Sequence, residues 1–93
     1  MKEIKLFPIV GSFAENKDLA RDIRIKEIIP ILEKGEDVIL DFEKIEAITQ
    51  SFCHALISDL IRNFGIDVLD RLNFKKCNDT VRKIIEIVVD YMQ

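Results

Sequence analysis

The chain has no tryptophan, one tyrosine, one histidine, two cysteines, two prolines and three glycines in its 93 residues. Each scarcity excludes something. Cys53 and Cys77 do not make a disulfide framework, and a reducing compartment would keep both as thiols. His54 with two cysteines falls short of the four ligands of a closed zinc site, so no metal and no cofactor is expected. Gly11, Gly35 and Gly65 are scattered, which leaves no glycine-rich phosphate loop. No basic run appears, and 14 Lys+Arg stand against 17 Asp+Glu for a net charge of −3. The electrostatic footprint of a nucleic-acid binder is therefore missing. The longest apolar stretches, such as Val38-Ile39-Leu40, are far too short to span a bilayer. Lys2, Glu3 and Lys5 interrupt the N-terminal apolar residues, so no signal-peptide core is expected there. The expectation is a cytoplasmic protein that meets neither membrane nor nucleic acid.

What the chain does have is apolar content, 48%, and mixed charge, 33%. Those proportions suit a folded core and argue against disorder. Residues 1–93 read as one domain.

Lys2–Phe7 alternates polar and apolar residues, with Ile4 and Leu6 on one face, and reads as a first strand. Pro8 and Gly11 interrupt it, and Ile9–Phe13 admits a short second strand. Asn16 is the expected N-cap of a first helix, with Asp18 in the first turn where a carboxylate suits the dipole. Ile25, Ile28, Ile29 and Leu32 fall on one side of it, and Gly35 stops it. Pro30 lies deep inside, where it would cost ~3 kcal/mol in a regular helix, so a kink or a helix in two pieces is expected.

Val38–Phe42 is a near-continuous apolar run, the mark of a central strand covered on both faces. Ile45–Thr49 reads as a turn or a short strand returning to the sheet. Ser51 is the expected cap of a second helix that ends at Phe64 before Gly65. Phe52, Cys53, Leu56, Ile57, Leu60, Ile61 and Phe64 cover one half of its circumference, and His54, Ser58, Asp59 and Arg62 the other. Ile66–Asp70 is a connector with room for one helical turn. Leu72 and Phe74 alternate with Asn73 and Lys75 in a last strand, and Asn78-Asp79 opens a final helix to about Tyr91. Apolar residues wrap over half of that helix. A groove on the sheet and a partner contact, including a homodimer, both account for it. Strands separated by helices imply right-handed crossovers and a largely parallel sheet.

Four segments together carry a resemblance: Glu15-Asn16-Lys17-Asp18, the strand Val38-Ile39-Leu40-Asp41-Phe42, the turn Thr49-Gln50-Ser51-Phe52, and Phe74-Lys75-Lys76-Cys77-Asn78. In this order and spacing the chain resembles the STAS-like family of unknown function, related to the STAS domains of bacterial anti-sigma-factor antagonists. The resemblance implies a small α/β STAS-like domain of three to four mostly parallel strands alternating with three helices. It also implies a regulatory protein-interaction module rather than an enzyme, with a histidine-kinase-type ATP-binding protein, an anti-sigma-type kinase, as partner.

In the antagonists, the strand-to-helix turn carries Asp-Ser-Ser-Gly, and the first serine is phosphorylated. Here Thr49 stands for the aspartate, Gln50 for the phosphoacceptor, Ser51 for the second serine and Phe52 for the glycine. Gln50 cannot accept a phosphoryl group, so that switch does not transfer to its position, and only Thr49 and Ser51 keep a hydroxyl.

The candidate partner- or ligand-binding residues are Asn16, Arg24, Thr49, Gln50, Ser51 and His54. Ser51 and Asn16 also have a structural reading as caps, and Gln50 offers a donor and an acceptor to a partner. A small-ligand sensor with a pocket between Asn16, Arg24 and Gln50 is the alternative, and a subunit of a larger assembly is a third reading. Cys53 and His54 are adjacent in a helix and point about 100° apart, so they form no Cys–His nucleophile unit. Cys53 is expected in the core. Cys77 stands near a helix N-terminus, where a thiol pKa falls. Asp41 ends the central strand and is placed to cap the Thr49 turn. No second acid or base accompanies it.

Overall fold

Alternation of Ile4 and Leu6 with charged residues pulls the start of the chain into a strand with one apolar face. In the computed structural model, which describes residues 1–92, β1 is Lys2–Lys5, and Ile4 and Leu6 are both buried. Pro8 then decides the backbone. It has no N–H to give a ladder and its preset φ suits the first turn of a helix. Phe7–Val10 is accordingly a single helical turn, α1, closed by Gly11 at φ 78°. The expected strand over Ile9–Phe13 shrinks to β2, Phe13–Ala14.

Asn16 caps α2, Lys17–Ile23: its Oδ1 accepts the N–H groups of Asp18 and Leu19 at 2.9 and 3.3 Å. The helical path continues through a π turn, Arg24–Ile28, into α3, Ile29–Glu33. The expected break at Pro30 takes this form. The Ile29 N–H reaches back five residues to the Arg24 carbonyl, and Pro30 opens α3, where a missing N–H is harmless. The widened turn also changes which side faces inward. Ala20, Arg24, Ile28 and Leu32 are buried at regular spacing of four, whereas Ile25, expected on the core side, is 45% exposed.

β3, Val38–Asp41, lies between β1 and β5, Leu72–Lys75, with both pairings parallel. β4, Ala47–Ile48, does not join this sheet but pairs in parallel with β2. α4, Gln50–Phe64, follows, then a 3₁₀ segment, Ile66–Arg71, in the expected connector, and α5, Asp79–Met92, which Asn78 caps by accepting the Val81 N–H at 2.8 Å. The architecture is α/β with parallel strands and five helices.

α4 is the hub, packed against α2, α5 and the 3₁₀ segment. Phe52, Cys53, Leu56, Ile57 and Leu60 are essentially inaccessible. Phe64, expected in the core, is exposed at the C-terminal end. Ser58, expected on the polar side, is buried and donates its hydroxyl proton to the His54 carbonyl. A helix flanked on two sides buries more than the half-circumference a wheel assigns it.

The register explains the sheet. Ile4, Leu40 and Phe74 form one row, and Val38 and Leu72 belong to the same face. The opposite face holds Glu3, Ile39 and Asn73 in one row and Lys5, Asp41 and Lys75 in the next. Glu3, Asn73, Lys5 and Lys75 are exposed and Ile39 is half-buried. The central strand is thus covered along one face, and on the other only at its end, where Asp41 is buried, not along both as its apolar run suggested. An ion pair of Lys75 and Glu3, 3.2 Å, straddles β3 on the open side.

Candidate functional site

β2 and β4 place two helix starts side by side. Ala14 is in register with Ile48, and the Thr49 N–H donates to the Ala14 carbonyl at 3.0 Å. The segments leaving these strands, Glu15-Asn16 and Thr49-Gln50, therefore emerge at the same edge, and α2 and α4 pack along each other behind it. The β2–β4 pairing thus brings the Asn16 loop and the Thr49 turn together.

The cap of α4 is Thr49, not Ser51. Thr49 is extended (φ −91°, ψ 159°) and its Oγ1 accepts the Phe52 N–H at 3.1 Å. Ser51 is already inside the first turn, where its hydroxyl is not needed by the backbone. Gln50 and Ser51 are both exposed, Thr49 is half-buried, and Phe52 and Cys53 turn into the core. Threonine and serine cap alike, so local sequence does not distinguish Thr49 from Ser51. What selects between them is where β4 ends.

His54 is half-buried one turn further on. Its ring meets Tyr91 of α5 edge to face, centroids 5.5 Å apart. Tyr91 is 78% exposed and Ile87, one turn earlier on α5, is 48% exposed. Residues four apart share a helix face, so Ile87, Tyr91 and His54 continue the surface begun by Gln50 and Ser51.

Arg24 lies elsewhere in the seam. It is buried, and its Nη1 donates to the Ala55 carbonyl while Nη2 pairs with Asp59 at 3.2 Å. Asp59 also holds Arg62 at 3.1 Å. The crevice that Arg24 lines, about 450 Å³, takes its other walls from Lys17, Asp18, Arg21, Ala55, Ser58 and Asp59, and not from Asn16 or Gln50. The sequence-based pocket of Asn16, Arg24 and Gln50 is not assembled there: Asn16 caps, Arg24 clamps α2 to α4, and Gln50 faces solvent.

Asp41 does not cap the Thr49 turn. It is 2% exposed and its Oδ1 accepts the Glu43 N–H at 2.8 Å, closing the turn after β3. Within that turn Lys44 takes a left-handed conformation, φ 69°, and its Nζ stands 5.7 Å from the Phe7 ring centroid. A second crevice, about 230 Å³, opens here between Lys5, Phe7, Pro8, Asp41, Glu43 and Lys44. The sequence reading missed it, although charged residues closing β1 and β3 are the signal for one. Beside it Lys76 pairs with Glu43 at 2.8 Å; this bond holds the Glu43 carboxyl below, and the Lys76 ammonium above, the usual value.

Neither cysteine is activated. Burial pushes the Cys53 thiol up to about 12. Partial burial raises Cys77 as well and outweighs the lowering by Arg82, so the helix-terminus effect expected for it does not prevail. Among the described residues no cluster of His, Cys, Asp and Glu is arranged for a metal, and no helix is long and apolar enough to cross a membrane.

The family model of the STAS-like domain of unknown function matches residues 20–82, about two thirds of the chain. The chain belongs to that family. No curated protein and no solved structure matches it. The match to this STAS-like family runs from α2 through the first turn of α5, so it takes in Arg24, the whole of Thr49–His54 and the Phe74–Asn78 segment. Glu15–Asp18 lies outside it.

Proposed function

We propose that this STAS-like chain is a non-enzymatic regulatory module that docks a protein partner through the Thr49–His54 turn. The partner we favour is a histidine-kinase-type ATP-binding protein of the anti-sigma kind, which rests on the relation of the family to antagonist domains. One observation carries the reading. Because Thr49 already satisfies the helix start, Gln50 and Ser51 present polar side chains to solvent with no structural duty in the turn. Buried Phe52 and Cys53 hold that turn rigidly from behind, which limits the ordering cost of an encounter. His54, Tyr91 and Ile87 add an aromatic and aliphatic margin, the kind of residue enriched where interfaces gain affinity.

Ser51 is also the hydroxyl in the turn that is free to be modified. A phosphoryl group there would add about −1.5 to −2 charge and change the docking face without removing the cap. The test is affinity capture from the native cell with the intact chain and with the double variant Gln50→Ala, Ser51→Asp. The intact chain should retain an ATP-binding protein that the variant loses, while the thermal unfolding of the two chains stays alike. Equal retention by both would sink the reading.

A further inference from the structure

The crevice beside Asp41 stands apart from the docking turn in residues and in chemistry. It lies at the carboxyl ends of β1 and β3, where departing loops diverge and open parallel sheets take their ligands. Asp41 is nearly inaccessible, and the Glu43 N–H holds Oδ1 in a set orientation; Oδ2 makes no hydrogen bond among the described residues. Lys5 and Lys75 flank Asp41 in register on the two neighbouring strands.

The charges sort themselves. Lys75 is taken by Glu3 and Lys76 by Glu43. Lys5 and Lys44 reach no carboxylate within ion-pair distance among the described residues. Once Glu43 is neutralised by Lys76, the crevice walls hold two cations and the Asp41 carboxylate, an excess of one positive charge. That excess suits one monovalent anionic group better than a phosphate dianion. The volume of about 230 Å³ is below the roughly 300–1,000 Å³ of drug-sized pockets and leaves little room for a nucleotide. Phe7 and Pro8 give one wall an apolar surface, and the Lys44 ammonium over the Phe7 ring is held where it can meet an anion entering the crevice.

We infer that this crevice binds a small 2-amino or 2-hydroxy acid with an apolar side chain. Its carboxylate lies between Lys5 and Lys44, its ammonium or hydroxyl donates to Asp41, and its side chain rests on Phe7 and Pro8. The two ligand types share this chemistry and differ in the donor. An ammonium makes a charge-assisted bond to Asp41 and a hydroxyl a weaker one. The site is independent of the docking surface, and variants at either leave the other intact.

The probes are L-leucine and its 2-hydroxy analogue, titrated separately into the full chain labelled with ¹⁵N. Saturable amide shifts confined to residues 5–7, 9 and 41–45 are expected with at least one. The double variant Lys5→Gln, Lys44→Asn should weaken binding at least tenfold. Both positions are exposed, and asparagine suits the left-handed conformation at 44, so the spectrum should otherwise remain that of the folded chain. The probe that binds the intact chain more tightly identifies the ligand type. Asp41→Asn, whose side-chain oxygen keeps the Glu43 contact, should weaken leucine more than the hydroxy acid, and an equal loss for both would overturn the contact to Asp41. No saturable shift with either probe up to tens of millimolar, or undiminished binding by the lysine double variant, would overturn the assignment.

Discussion

Thr49 and Ser51 look interchangeable in a sequence, yet the chain uses them differently. Thr49 Oγ1 engages the Phe52 N–H, and Ser51 is spare. Thr49→Ala should therefore cost about 1 kcal/mol of stability, whereas Ser51→Ala should change it by less than ~0.5 kcal/mol. Urea unfolding of the two variants distinguishes them, and a larger loss for Ser51→Ala would contradict the cap. Asp41 makes the same point. Its place at the end of the apolar strand marked it as special, but only the fold showed that it closes its own turn and leaves Thr49 to β2 and β4. From sequence Arg24 reads as a contact residue among polar neighbours. The fold buries its guanidinium against a carbonyl and a carboxylate of α4, a burial that no local pattern announces.

Among the elements, α2, the π turn and α3 show how one proline propagates. Pro30 cannot donate, a five-residue hydrogen bond precedes it, and the inward side shifts from Ile25 to Arg24. Regular helical periodicity therefore placed Ile28 and Leu32 well and Ile25 badly. The wheel of α4 was reliable in its centre and failed at Ser58, where the neighbouring helices cover a side it counted as polar. Within α4, Leu60→Ala should cost about 2–5 kcal/mol, since Leu60 is inaccessible and its cavity would be walled by several elements. On α5, Ile87→Ala should stay within ~0.5 kcal/mol despite similar chemistry. Denaturant midpoints for the pair test whether α5 keeps an apolar residue at the surface that folding does not require. A cost at Ile87 comparable with that at Leu60 would show the position to be core.

For the whole molecule, the arrangement of three parallel strands with helices on one face leaves a charged face open. Strand β3 is paired on both edges while β1 and β5 each have one unpaired edge among the described residues, and β2 and β4 hold only two residues apiece. Amide hydrogen exchange should therefore be slowest in Val38–Asp41 and in the buried stretch of α4. It should be faster in the free-edge amides of β1 and β5 and at Phe13–Ala14. Protection of β1 equal to that of β3 would indicate that its outer edge is paired in solution.

Alternation, apolar runs and caps by themselves determined the α/β class, the order of the main strands and helices, the Asn16 and Asn78 caps and the burial of Cys53. These depend on residues close in sequence, whose spacing sets which side of a helix or strand is apolar. Tertiary structure decided the rest: which hydroxyl caps α4, that Arg24 is a clamp, that one sheet face stays largely bare, and that Lys5, Phe7, Asp41 and Lys44 share a crevice. Those outcomes depend on which strands become neighbours and in what register, and the energy of such long-range pairing is not written in any local period.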